Sequence, residues 1–280
     1  MKQIAPHIYI EHGYRGVTVG CVITDSGVIC IDSPRLPADA RAWRAQIAKH
    51  TDRPIHFVVL TDGQRDRIAG LQYLGGVVVA HEAAWEKMKS YGDTVRSQVA
   101  DSLSDHPDAA AEVAANLHIV LPQITFTNQL TLYKSDPIIL RHVGGATAGS
   151  AWVHLPQQGV LFMGDLLAFR AHPATGEGDI ATWLDLLAQV GDKSFAAKTL
   201  VPGRGASCNK TALEPMAGYL RAMRARVQSL LRSRRPRAET ALLVPEFLAR
   251  YPVSEGERES AERRIKAGLD HLYDALKSKK

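Results

Sequence analysis

Residues 58–70 read Val-Val-Leu-Thr-Asp-Gly-Gln-Arg-Asp-Arg-Ile-Ala-Gly. The run 57–60 is apolar, as in a buried strand. Residues 61–67 form a polar turn, and Ile68, Leu71 and Leu74 then recur at helical spacing. A turn at the carboxyl end of a buried strand is where functional side chains of α/β sheets collect. Asp62, Gln64, Asp66 and Arg67 are therefore the first candidates for a site.

Working outward, residues 8–10, 17–23 and 27–31 predict strands of a meander, with Asp25-Ser26-Gly27 as a hairpin turn. Asp32-Ser33-Pro34 breaks the pattern, and residues 38–49 predict an amphipathic helix. A strand over 55–60, a short helix over 67–74 and a strand over 77–79 follow. Residues 82–121 are alanine-rich and helical, and Pro107 divides them. A second strand set covers 124 onward, 129–133, 138–142, 151–155 and 160–163, closed by Gly164-Asp165. A helix over 183–190 and an edge strand over 199–201 precede Pro202-Gly203-Arg204-Gly205. Two strand-rich halves with helices outside them describe a sandwich of two sheets between helical layers. Beyond residue 211 strand signals vanish, leaving helices over 214–232, 238–250 and 255–276.

The chain has 280 residues, 45% of them hydrophobic and 22% charged, with a net charge of +5, which suits one large α/β core plus an appendage. Cys21, Cys30 and Cys208 are odd in number and lack C-x-x-C spacing, which favours reduced thiols in a cytoplasmic protein. The start M-K-Q-I-A-P-H-I-Y-I carries no apolar leader core, and no apolar run approaches bilayer length, so no membrane association is expected. Arg221, Arg224, Arg226, Arg232, Arg234, Arg235, Arg237 and a Lys277/Lys279/Lys280 tail make the last segment basic. Without interleaved aromatics or a recognised motif, this reads as a solvated helix face, and nucleic acid is not an expected partner.

An ordered set of motifs carries a resemblance: G-V-I-C-I-D-S ending near Asp32, T-D-G-Q-R-D-R-I-A-G from Thr61, V-V-V-A-H-E around His81, H-V-G-G-A-T-A-G-S from His142, V-L-F-M-G-D at Asp165, and L-V-P-G-R-G around Arg204. In order and spacing the chain resembles the metallo-β-lactamase superfamily over about residues 7–215. The resemblance implies a four-layer αββα sandwich of two mixed sheets (residues 1–211) and a C-terminal helical extension (212–280) that packs on the core or forms a dimer contact. It also implies where metal ligands would stand. A first site would fall on Asp62, Gln64 and Ala146, where histidines are expected. A second would fall on Asp66, Arg67 and Arg204, with Asp165 as the bridging carboxylate. Ala146 has no donor atom, and protonated arginine cannot coordinate a cation. The resemblance thus implies a divergent member without the metal-binding histidines, with no metal and no cofactor expected.

Two guanidinium groups carry the formal charge of one zinc ion. Arg67 and Arg204 are accordingly expected to form ion pairs with Asp66 and Asp165 in place of metal bonds. His81 and His142 read as packed or hydrogen-bonded, and His7, His12, His154 and His172 lack ligand spacing. Ser150 and Ser207 sit in no nucleophile elbow.

Three functional readings follow. The first is a non-zinc pseudoenzyme with a ligand-binding or regulatory role, whose cleft of Asp62, Gln64, Asp66, Arg67, Ala146, Asp165 and Arg204 takes a small anion. The second is a hydrolase of ester, thioester or lactone bonds, using Asp66 or Asp165 as base, or a hard cation held weakly by the carboxylates. The third is a binder of nucleic acid or another anionic partner through the basic C-terminal helices. An apolar stripe from Leu213 to Leu231 is expected to dock on the core or to pair two copies in a homodimer.

Overall fold

Short apolar runs in the first thirty-one residues build a meander. In the computed structural model, which describes residues 1–101, 103, 106–134 and 136–278, β1 (Lys2–Ala5), β2 (Ile8–Glu11), β3 (Val19–Thr24) and β4 (Gly27–Ile31) are successively antiparallel. Lys279 and Lys280 of the basic tail lie outside the described residues. The β3–β4 hairpin turns on Asp25 and Ser26, as expected, and sets Cys21 opposite Cys30. Both thiols are free and buried, and burial pushes the Cys21 thiol up to about 12.

After α1 (Pro37–Ala48), the sheet continues in parallel through β5 (Ile55–Val59), β6 (Val77–His81) and β7 (Ile124–Phe126), giving seven strands in sequence order. Between β5 and β6 the expected single helix is two short ones, α2 (Arg65–Ile68) and α3 (Leu71–Leu74), because the chain is broken at Ala69-Gly70. A Cβ on Gly70 would stand 2.2 Å from the Pro34 carbonyl oxygen, so the backbone must bend tightly there. Ala40, Trp43 and Ile47 of α1, with Leu71 and Leu74 of α3, cover the outer face of this sheet. The long helical stretch divides into α4 (Glu82–Ser90), α5 (Val95–Asp101) and α6 (Pro107–Asn116), with Pro107 opening the last.

The second sheet runs β12-β11-β10-β9-β8, with β8 (Gln129–Lys134), β9 (Asp136–His142) and β10 (Ala151–Leu155) antiparallel. β11 (Val160–Ala168) does not close at Gly164-Asp165 as the sequence suggests. Gly164 takes a left-handed φ of 55°, the register shifts there, and the strand continues for four more residues. β12 (Thr199–Arg204) is parallel to β11 and likewise runs further than expected, so Arg204 ends a strand. α7 (Ile180–Gly191) lies between these strands in sequence, its start capped by Asp179, which accepts from the Ala181 and Thr182 amides.

The facing surfaces of the two sheets share one apolar layer, including Ile29, Ile31, Val59 and Val79 from the first and Leu140, Val153, Phe162 and Val201 from the second. The outer face of the second sheet is covered by Trp183 and Leu187 of α7 and by the stripe Met216, Leu220, Met223 and Val227 of α8 (Leu213–Arg232). After a 3-10 turn over Arg237–Leu243 come α9 (Val244–Leu248) and α10 (Glu255–Ser278), whose Ile265 and Leu269 join the same core. The result is a four-layer αββα sandwich. No described helix is long and apolar enough to cross a membrane.

Candidate functional site

β4 pairs parallel with β5 and β11 with β12, and the charged groups of the site come from the turns after β4 and β5, the bulge inside β11 and the end of β12. Asp32 follows β4, with a left-handed φ of 59° that aspartate tolerates better than most residues. Its carboxylate accepts from the Thr61 amide and hydroxyl, both at 2.8 Å, locking the turn after β5. The Ala151 amide donates to the Thr61 carbonyl at 2.8 Å, tying that turn to the second sheet.

Arg67, on α2, is 1% exposed and sits among three carboxylates. Its Nη1 donates to Asp32 Oδ2 at 2.8 Å, its Nε to Asp62 Oδ2 at 3.2 Å, and its Nη2 to Asp165 Oδ1. Each edge of the guanidinium fork is thereby used. Arg204 donates from Nη2 to Asp66 Oδ2 at 3.1 Å and brings Nε to 3.4 Å from Asp165 Oδ1. Arg35 Nε approaches Asp66 Oδ1 at 3.3 Å. One Asp165 oxygen thus faces both arginines, while the other, Oδ2, is buried without a hydrogen-bond partner.

These contacts set the charge states. Burial works against the charge on Arg67, but Asp165, Asp32 and Asp62 outweigh it and hold the guanidinium ionised. Burial also opposes ionisation of Asp66, yet Arg204 and Arg35 bring its carboxyl down to about 2. Asp165 is likewise lowered, with Arg67 and Arg204 overcoming burial. Asp32 and Asp62 go the other way. Burial dominates for both, and Asp62 rises to about 6 despite Arg67. Asp32, Asp62, Asp66 and Asp165 thus face Arg35, Arg67 and Arg204, with Arg264 close enough to lower Asp66 further, and it is Asp32 and Asp62 whose proton the folded state favours.

The expected pairing of Arg67 and Arg204 with Asp66 and Asp165 is met by Arg204, which reaches both. Arg67 reaches only Asp165 of the two, its other partners being Asp32 and Asp62. Of the remaining candidates, Gln64 precedes α2 and donates its backbone amide to Asp62 Oδ1 at 2.8 Å. Ala146 is fully buried in the apolar layer beneath α7 and reaches no cleft. Asp62, Arg67 and Asp165 are each at most 4% exposed and form a sealed network in place of a cleft lining. Arg204 lines a cavity. His81 and His142 stack at 3.7 Å, their Nε2 atoms bonded to the Thr127 and Ala148 carbonyls. Asp32, Arg35, Arg170 and Arg264 were absent from the candidate set. Asp32 was visible within the I-D-S motif, but nothing in the sequence marks Arg264 as a neighbour of Arg204.

No protein-family model matches the chain, and no curated protein matches it by sequence. Solved structures do match. A metallo-β-lactamase family protein from Thermus thermophilus superposes with a TM-score of 0.69 at 17% identity, over 98% of this chain and 95% of its own. TMB-1 gives 0.61 at 18% identity over 79% and 96%, in the same order. The chain has the metallo-β-lactamase fold. The inverting sec-alkylsulfatase Pisa1 from a Pseudomonas species also aligns, with a TM-score of 0.70 at 16% identity over 98% of this chain, which spans 49% of the sulfatase's length.

The metallo-β-lactamase fold implies zinc, and the residues here do not fit it. Where carboxylates converge, the guanidinium of Arg67 stands between them, and Ala146 supplies no donor. Among the described residues no three His, Cys, Asp or Glu side chains are grouped to hold a metal.

The backbone has closed around this arrangement. A Cβ on Gly203 would lie 2.4 Å from Arg67 Nη2 and 2.7 Å from Asp165 Oδ1. Gly203→Ala is therefore expected to cost on the order of 1–3 kcal/mol by overpacking, read as a lower urea midpoint with unchanged slope.

Proposed function

We propose that this protein is a metallo-β-lactamase-fold pseudoenzyme in which an arginine-carboxylate network stands where the fold would hold metal, and that its role is ligand binding or regulation. One observation carries the reading: the three-way hydrogen bonding of buried Arg67 to Asp32, Asp62 and Asp165. A cation held by the same carboxylates would have to displace a guanidinium already hydrogen-bonded to all three of them, leaving that buried charge without its partners.

The metal-free hydrolase reading is served less well. Asp66 is held near 2, and Asp165 below the usual carboxylate range, so neither is a good base at neutral pH. Binding of polyanions on the basic helices also loses support, because Arg221, Arg226, Arg235, Arg237, Arg258 and Arg263 each pair with a neighbouring carboxylate. Elemental analysis of protein purified without chelators and dialysed against zinc is the test. The expected result is substoichiometric metal with no change in melting temperature, and a stoichiometric ion retained by these side chains would overturn the reading.

A further inference from the structure

Beside the sealed network, between the end of β12 and the N-terminal half of α10, lies a cavity of about 210 Å³ lined by Arg170, Arg204 and Arg264, with Glu257 as the one carboxylate among its described lining residues. Val17, Val253 and Ala261 give it apolar walls. A cavity of about 150 Å³ admits benzene, so this one has room for a single ring or short chain with a charged head. Its arginines have hydrogen-bonding capacity to spare. Arg264 Nε is buried without a hydrogen-bond partner, and the burial of this guanidinium together with nearby Arg204 lowers its hold on its charge. Arg204 spends Nη2 on Asp66, while its Nη1 faces Gly16, where a Cβ would stand 3.3 Å away on the cavity wall. Gly16 has a φ of 73°, and Arg170, at the mouth, holds a left-handed φ of 55° that non-glycine residues adopt at a cost and that clusters at ligand sites.

We propose that this cavity binds a small organic molecule bearing one oxyanion head, carboxylate or phosphate, with Arg264 and Arg204 gripping the head and Arg170 closing over it. The proposal deepens the ligand-binding reading above and rests on it. Guanidinium donors in a partly desolvated pocket favour a planar or tetrahedral oxyanion over a neutral isostere, because each unpaired donor is satisfied by the ligand.

Isothermal titration of the full chain at low salt with benzoate, phenyl phosphate and neutral benzamide tests it. The expected result is saturable one-site binding of at least one anion, none of benzamide, and a tenfold or greater loss of affinity in Arg264→Gln. Arg170→Gln, at an exposed position outside the buried network, is expected to weaken binding severalfold with an unchanged melting temperature. Arg221→Gln, on the surface of α8, should leave affinity intact. The ranking of the two anions identifies the head group. Equal binding of benzamide, no binding of either anion, or affinity unaltered in both Arg264→Gln and Arg170→Gln would overturn the proposal. Retained zinc with Arg264-dependent anion binding would instead sink the pseudoenzyme reading and leave the cavity assignment standing.

Discussion

Replacing Arg67 by alanine is expected to lower stability by about 3–5 kcal/mol, because it leaves Asp32 and Asp62 buried without a cationic partner and Asp165 with Arg204 alone. For a chain of this size that corresponds to a melting temperature lower by on the order of 10 °C. The loss comes from unpaired buried charge, so it should be partly reversible. In the Arg67→Ala background, Asp62→Asn removes one stranded carboxylate and keeps the oxygen that accepts the Gln64 amide, and the double variant should be more stable than Arg67→Ala alone. Thermal denaturation of the wild type, both singles and the double closes the cycle. An unchanged midpoint in Arg67→Ala would mean that the guanidinium is dispensable to the fold.

The second large effect is an unusual pH profile. The folded-state carboxyl of Asp62 is raised from 3.8 to about 6, so the folded protein holds this proton more tightly than the unfolded chain. That contribution is complete below 3.8 and is lost as pH rises through 6. Asp32 acts in the same direction. Asp66, lowered to about 2, contributes above 3.8 and is lost as pH falls through 2, and lowered Asp165 follows it. Together the network favours the folded state most near pH 4, on the acid side of neutrality. Urea denaturation from pH 3 to 8 should show stability falling between about pH 4 and 6, and Asp62→Asn should flatten that limb while sparing the acid one. A wild-type curve that rises steadily to pH 7, with Asp62→Asn parallel to it, would show that Asp62 is ionised throughout.

Much of this molecule was legible in its residues. Apolar runs marked every described strand but β1, and the ordered motifs brought Asp66, Arg67, Asp165 and Arg204 to one end of the sandwich. β1 escaped notice because Lys2–Ala5 is largely exposed and lacks an apolar face. The continuation of β11 past Gly164 was hidden because a Gly-Asp pair reads as a turn, whereas here the left-handed glycine makes a bulge inside the strand. The distribution of partners was not legible either. Which carboxylate Arg67 reaches depends on Asp32 being held by Thr61, and which positive groups face the cavity depends on α10 folding back some sixty residues after Arg204. Ala146 shows the limit of motif transfer: the resemblance puts it at a ligand position, but its methyl group is fully buried in the same apolar cluster as Trp183 and Leu187.

We propose that the positive charge of Arg67 stands where this fold would put metal. Zinc-edge anomalous diffraction from a crystal soaked in zinc tests it most directly. Arg67 is expected to remain bonded to Asp32, Asp62 and Asp165 with no anomalous peak among them. A peak bridging Asp62 and Asp165, with the guanidinium swung aside, would contradict it.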